Sequence, residues 1–256
     1  NGGITVSNGT LSSTEGTLSA SSFSIGAAGT VNILGGTLSL PAGGTAVSGA
    51  AFTTSDATIS LEGTLEVADS WTITNTSIAL TGEASLSHSS TVPLSLASLT
   101  TNGYNFELDS ETADLTIQDA FALTGSEVLA TNGADLIFEG SVTTSSVSTI
   151  DAGDGGMLEF QNGGTAAGEI NAENAVFKIG AAYAVPGTLK TNGSTIWDLG
   201  IANLDLSGGK LELGGEVVLD QILTNNQTNF KLAEDATVTR NTGFTLRGLE
   251  FENYTL

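Results

Sequence analysis

The sequence predicts an all-β chain, a parallel β-solenoid (β-helix) with coils of about 30 residues. Three observations predict it. Apolar residues recur at every second position rather than at helical spacing. The apolar pairs are short and are closed by Gly, directly or after one polar residue. An Asn-Gly dipeptide returns at Asn102, Asn132, Asn162 and Asn192, thirty residues apart each time. An antiparallel β-sandwich or propeller is the alternative. Asn-Gly is a strong hairpin signal, because both residues tolerate the positive φ that a tight hairpin needs.

Ile4/Val6 opens the chain as a strand, and a "GTL" theme follows: "GTLSS" (9–13), "GTLSA" (16–20), "GTLSL" (36–40), "GTLEV" (63–67). "DATISLEG" (56–63) and "NTSIALTG" (75–82) share one grammar of polar start, apolar pair and glycine. Glycine permits the positive φ of a sharp corner. Phe106/Leu108, Leu115/Ile117, Phe121/Leu123, Leu136/Phe138 and Phe177/Ile179 continue the alternation, and Leu204/Leu206, Leu211/Leu213, Phe230/Leu232 and Phe244/Leu246 carry it toward the end. Period two marks strands with one buried face. Linkers of one to three small residues are too short for Greek-key crossovers, which favours coils that stack in parallel. The chain reads as one domain over 1–256, with irregular coils over about 1–98 and regular 30-residue coils over about 99–256. Roughly eight such coils at about 4.8 Å each give a rod some 40 Å long. In that geometry Asn102, Asn132, Asn162 and Asn192 fall in one column as a structural Asn ladder.

Composition narrows the function. Charged residues make up 13% of the chain and aromatics 6%, while the formal net charge is -22. All six bases (Lys178, Lys190, Lys210, Lys231, Arg240, Arg247) follow residue 177, so the preceding stretch has no tryptic site. Nucleic acid and anionic lipid are bound through Lys and Arg, so neither is an expected partner. The absence of cysteine excludes a disulfide scaffold and a thiolate metal site. No run of apolar residues is long enough for a spanning helix, and direct membrane insertion is not expected. The start at Asn1 suggests a processed or excised segment.

"GGTLSL" (35–40), "GTLEV" (63–67), "GTLKTNGS" (187–194) and "LDLSGGKLELGG" (204–215) resemble the repeats of autotransporter passenger domains and filamentous-haemagglutinin-like adhesins. The resemblance covers most of the chain and is one of composition and period. It implies a right-handed parallel β-helix that projects from a bacterial surface. The membrane barrel of that family has no counterpart in this sequence.

Candidate sites are few. A glycosidase needs converging carboxylates, and the nearest match is Asp151 with Asp154 in "DAGDGG" (151–156). A β-helix enzyme that degrades acidic polysaccharide would also need a base nearby, and none lies before Lys178; the chain is not expected to be an enzyme. The same two aspartates are the candidate calcium ligands, since calcium takes carboxylate and carbonyl oxygens in loops. No other cofactor is expected. "DSETAD" (109–114) reads as a solvated acidic loop, and His88 in "SLSHSS" as a surface residue on a polar strand face. Of the two tryptophans, Trp71 and Trp197, the second is the expected surface contact: it adjoins Ile196, and one of two neighbouring strand residues must point outward. The expectation is therefore an extracellular or surface-exposed bacterial structural protein, a stalk, filament subunit or adhesin shaft that associates end to end. A carbohydrate- or cell-binding adhesin module is the first alternative, and a polysaccharide-degrading enzyme the second.

Overall fold

The computed structural model describes residues 2–42, 44–46, 51–67, 71–110, 114–199, 204–218, 229–232, 237–239 and 248–251. Every strand pairing among them is parallel, and the described residues contain no helix. The fold is a β-solenoid with about 21 residues per turn.

The wall has three faces. Face 1 holds Phe106–Asp109, Glu127–Thr131, Thr149–Asp151, Glu169–Asn171, Thr188–Thr191, Lys210–Leu213, Asn229–Leu232 and Gly248–Phe251, each bonded to the next. Face 2 holds Leu94–Leu96, Leu115–Ile117, Asp135–Phe138, Met157–Phe160, Val176–Ile179 and Ile196–Asp198. Face 3 holds Ser98–Thr100, then Phe121–Leu123, Val142–Thr144, Gly164–Ala166, Tyr183–Ala184 and Leu204–Asp205. Toward the N-terminus, Phe23–Leu40 and Ala51–Val67 run through their corners as long strands and serve all three faces.

Coil length departs from the expectation. Phe106 sits beside Val128, Val128 beside Ile150, Ile150 beside Ile170 and Ile170 beside Leu189, steps of 22, 22, 20 and 19 residues. The 30-residue coil is therefore overturned. A 30-residue interval is one coil plus part of the next, so the Asn-Gly dipeptides land on different corners. The coils before residue 98, expected to be irregular, keep the same step: Ile4 pairs with Phe23, Ser24 with Thr45 and Leu65 with Leu86. Because each turn uses fewer residues, the rod is longer than expected. About ten turns at about 4.8 Å give roughly 50 Å.

The alternation seen in sequence is the inside-outside alternation of this wall. Ile25, Ile33, Leu38, Ile59, Leu61, Leu86, Leu108, Leu136 and Leu211 are fully buried, and their sequence neighbours are half-buried or exposed. Interior volume is shared between faces. On face 1 the inward column runs Leu108, Ala130, Ala152, Ala172. Face 2 supplies the bulkier Phe138 and Phe160, whose rings stack at 5.3 Å, and Phe121 of face 3 lies 5.2 Å from Phe138. Gly164 completes the fit. It holds φ +141, and a Cβ there would come within 1.9 Å of the Val142 carbonyl oxygen. One coil on, Tyr183 pairs with Gly164 and its ring stacks on Phe160 at 4.6 Å.

Candidate functional site

Asn102 and Asn132 turn corners with their own backbone. Both hold positive φ, 53 and 59, and so do Gly103 and Gly133. The turn closes through Tyr104 N–H to the Thr101 carbonyl (2.9 Å) and Ala134 N–H to the Thr131 carbonyl (3.2 Å). This is the dihedral pattern of a hairpin turn, used here to pass from one face to the next. Asn102 lies between faces 3 and 1, Asn132 and Asn192 between faces 1 and 2, and Asn162 between faces 2 and 3. They do not form the expected single column. Asn102 Nδ2 donates to the Leu80 carbonyl (2.8 Å), Asn132 Nδ2 to Asp109 Oδ1 (2.6 Å) and Asn162 Nδ2 to the Glu139 carbonyl.

A ladder does exist at the corner between faces 1 and 2, with other members. Asn192 Nδ2 donates to Asn174 Oδ1 (2.8 Å), and Asn174 Nδ2 donates to Asp154 Oδ1 (2.8 Å). Asp151 stands just before this corner: Oδ1 accepts from Gly153 N–H (2.8 Å) and Oδ2 from Asn171 Nδ2 (3.0 Å). Asp151 and Asp154, the candidate calcium ligands, thus each accept hydrogen bonds from the next coil's amides. Among the described residues no group of three or more His, Asp or Glu side chains is placed to hold a metal ion. A similar amide–carboxylate step, Asn75 Nδ2 to Asp56 Oδ1 (2.7 Å), braces the corner between faces 2 and 3. Glu111 of the acidic loop lies outside the described residues.

Trp197 is the inward, half-buried residue of its pair rather than an exposed contact. It packs edge-on against Phe177, with centroids 5.7 Å apart, and the outward residue of the pair is Ile196, 61% exposed. The register explains this: Trp197 pairs with inward Phe177, so its neighbours must point out. Trp71 is also interior; it stacks on Phe52 at 5.4 Å, and its Nε1 donates to Thr54 Oγ1 (3.0 Å). His88 corrects a second expectation. It is 3% exposed, because it continues the inward column of Ala84 and Leu86 along Ser77–His88. Ser87, its neighbour, points to the other side of the sheet.

Two outward surfaces carry chemistry. On face 1 Glu83, Glu107 and Glu127 line an open cleft of about 370 Å³ with Thr64, Ser85 and Asn105. Asn105 braces it: its N–H donates to Glu83 Oε2 and its Oδ1 accepts from Glu127 N–H, both at 2.8 Å. Partial burial, with the charges of Asp151 and Glu169, pushes the Glu127 carboxyl above its ordinary range. Asp135 on face 2 is raised by burial and by Asp114 beside it. Toward the C-terminus lysines neutralise such neighbours: Lys178 pairs with Glu159 (3.0 Å), Lys190 with Glu169 (2.8 Å) and Lys231 with Glu212 (3.2 Å).

The second surface is face 3 of the N-terminal coils. Its outward positions are hydroxyls in register: Thr17 beside Thr37, Thr37 beside Thr58, Thr58 beside Ser77 and Ser77 beside Ser98. A second row holds Ser19, Ser39, Ser60, Ala79 and Thr100. Sequence reasoning saw the "GTL" theme and missed this array. The signal was the recurrence of "GTLS" at 16 and 36, one coil apart.

Comparison with known protein families, curated proteins and solved structures finds no match to this chain.

Proposed function

We propose that this chain is a structural protein, an extracellular β-solenoid shaft of the kind that forms a bacterial stalk or filament. The observation that carries the reading is the continuity of the stack. Coil after coil is joined in parallel register by backbone bonds outside and by aliphatic and aromatic columns inside. Such a wall resists bending, because each coil is held by both neighbours.

End-to-end association of copies belongs to the same reading. A stack of parallel coils can be continued by a further coil of the same step, and steps of 19 residues recur along this chain, from Ile4 to Phe23 and from Leu211 through Phe230 to Leu249. The Phe244/Leu246 pair, read from the sequence as a strand, lies outside the described residues. Negative-stain microscopy with sedimentation tests the proposal. Rods that lengthen with protein concentration support it, and single short rods at every concentration overturn the association.

A further inference from the structure

The hydroxyl array of face 3 goes beyond a structural role. Thr17, Thr37, Thr58, Ser77 and Ser98 form one row and Ser19, Ser39, Ser60, Ala79 and Thr100 the next, one residue of each row per strand. Beneath them Leu38, Ile59, Ile78 and Leu99 are buried, which holds each outward side chain to its strand. Neighbouring strands are about 4.8 Å apart and alternate residues about 6.7 Å apart, so the oxygens repeat in two dimensions. Threonine is stiff at χ1, and Ser98 Oγ donates to Ser77 Oγ (2.8 Å) along the row. Tight glycine corners feed the array. Gly16 and Gly36 hold φ +76 and +73, and a Cβ on Gly36 would come within 2.2 Å of the Gly16 carbonyl oxygen.

The chemistry of the array selects its ligand. The chain carries 28 acidic residues, yet none of the ten outward positions is charged. A charged partner would find no ion pair there. No aromatic ring stands in either row, and both tryptophans are turned inward, so a sugar ring has no stacking platform. What remains is a neutral surface whose own hydrogen-bonding atoms repeat on a lattice of similar pitch. Water ordered as ice is such a surface. The methyl groups of Thr17, Thr37 and Thr58 exclude loosely held water, and the hydroxyls bond the rest. Each contact is weak, but a rigid array engages many at once without paying to order itself.

We propose that face 3 over residues 17–100 is an ice-binding surface, with the two hydroxyl rows as the contact layer. The test is adsorption of fluorescently labelled protein to a growing ice hemisphere, together with inhibition of ice recrystallisation. The wild-type chain is expected to coat the ice and keep grains small. Thr37→Lys with Thr58→Lys places charges and bulk at the centre of the array and is expected to abolish both effects. Ser85→Lys on face 1 is the control and should leave them unchanged. Thermal unfolding of each variant separates loss of binding from loss of fold. Should the double variant fail to fold, Thr58→Tyr alone is the replacement, with the same loss expected. Absence of wild-type protein from the ice overturns the proposal, and so does full adsorption by a folded double variant. Retention on crystalline cellulose or chitin without ice adsorption overturns it in favour of a polysaccharide surface.

Discussion

Asn174 and Asn192, on successive coils, bond each other twice. Asn192 Nδ2 donates to Asn174 Oδ1 at 2.8 Å, and Asn192 Oδ1 accepts from Asn174 N–H at 3.0 Å. Asn174 also holds φ +55. Its side chain and its backbone conformation therefore serve the same corner. Replacing it separates the two contributions. Asn174→Ala keeps the backbone N–H bond but loses the two side-chain bonds, to Asn192 and to Asp154 Oδ1, and leaves a Cβ-bearing residue without compensation in the left-handed region, at about 1–2 kcal/mol. Asn174→Gly loses the same bonds but relieves the dihedral cost. Urea unfolding is expected to rank wild type above Gly and Gly above Ala. Equal stability of all three would show that the ladder carries no energy.

The aromatic column is a second target. Phe160 touches Phe138, Phe177 and Tyr183, at 5.3, 6.0 and 4.6 Å between ring centroids. Phe160→Ala is expected to cost about 3–5 kcal/mol, as for other buried aromatics. Trp197→Ala is expected to cost about 2 kcal/mol, since that ring is only partly covered. Trp197 fluorescence should be blue-shifted in the native state and should respond to unfolding but not to added glycans. A glycan-dependent change would restore Trp197 as a surface contact.

The pH dependence follows from Glu127 and Asp135. Both carboxyls are raised, chiefly by burial and then by acidic neighbours, Asp151 and Glu169 for the first and Asp114 for the second. A folded-state pKa above the unfolded value means that the native state binds the proton more tightly. The stabilising contribution is present below the unfolded pKa and is lost as pH rises through the folded one. Melting temperature should therefore increase from neutral toward mildly acidic pH. Glu127→Gln and Asp135→Asn should raise it at neutral pH and flatten that rise. Both sites are largely hydrated, so the effect is modest. An unchanged profile in the double variant would remove these two groups as its cause.

The sequence made the architecture legible because an inward column must be apolar at every second residue, whatever the coil length. Leu108, Leu136 and Phe177 announced themselves in that way. Coil length was harder. The most visible repeat, Asn-Gly, marks corners in general, and three kinds of corner share it. The true step was written in the less conspicuous "GTLS" at 16 and 36. Trp197 misled for a related reason. Alternation says that one of Ile196 and Trp197 faces out, but only the register with Phe177 says which. His88 and the alanine column were hidden because their burial depends on what the facing wall supplies.

The step of about 21 residues also governs how such a molecule can change over generations. Each coil touches only the coil before and the coil after it, and its cross-section is nearly the same as theirs. Loss or duplication of one coil's worth of gene sequence would leave every remaining column aligned. Each event would shift the reach of the shaft by about 4.8 Å. An insertion of half that size would turn the inward faces out of line. Inheritance can thus adjust this rod in whole turns, much as a ruler is lengthened by adding divisions.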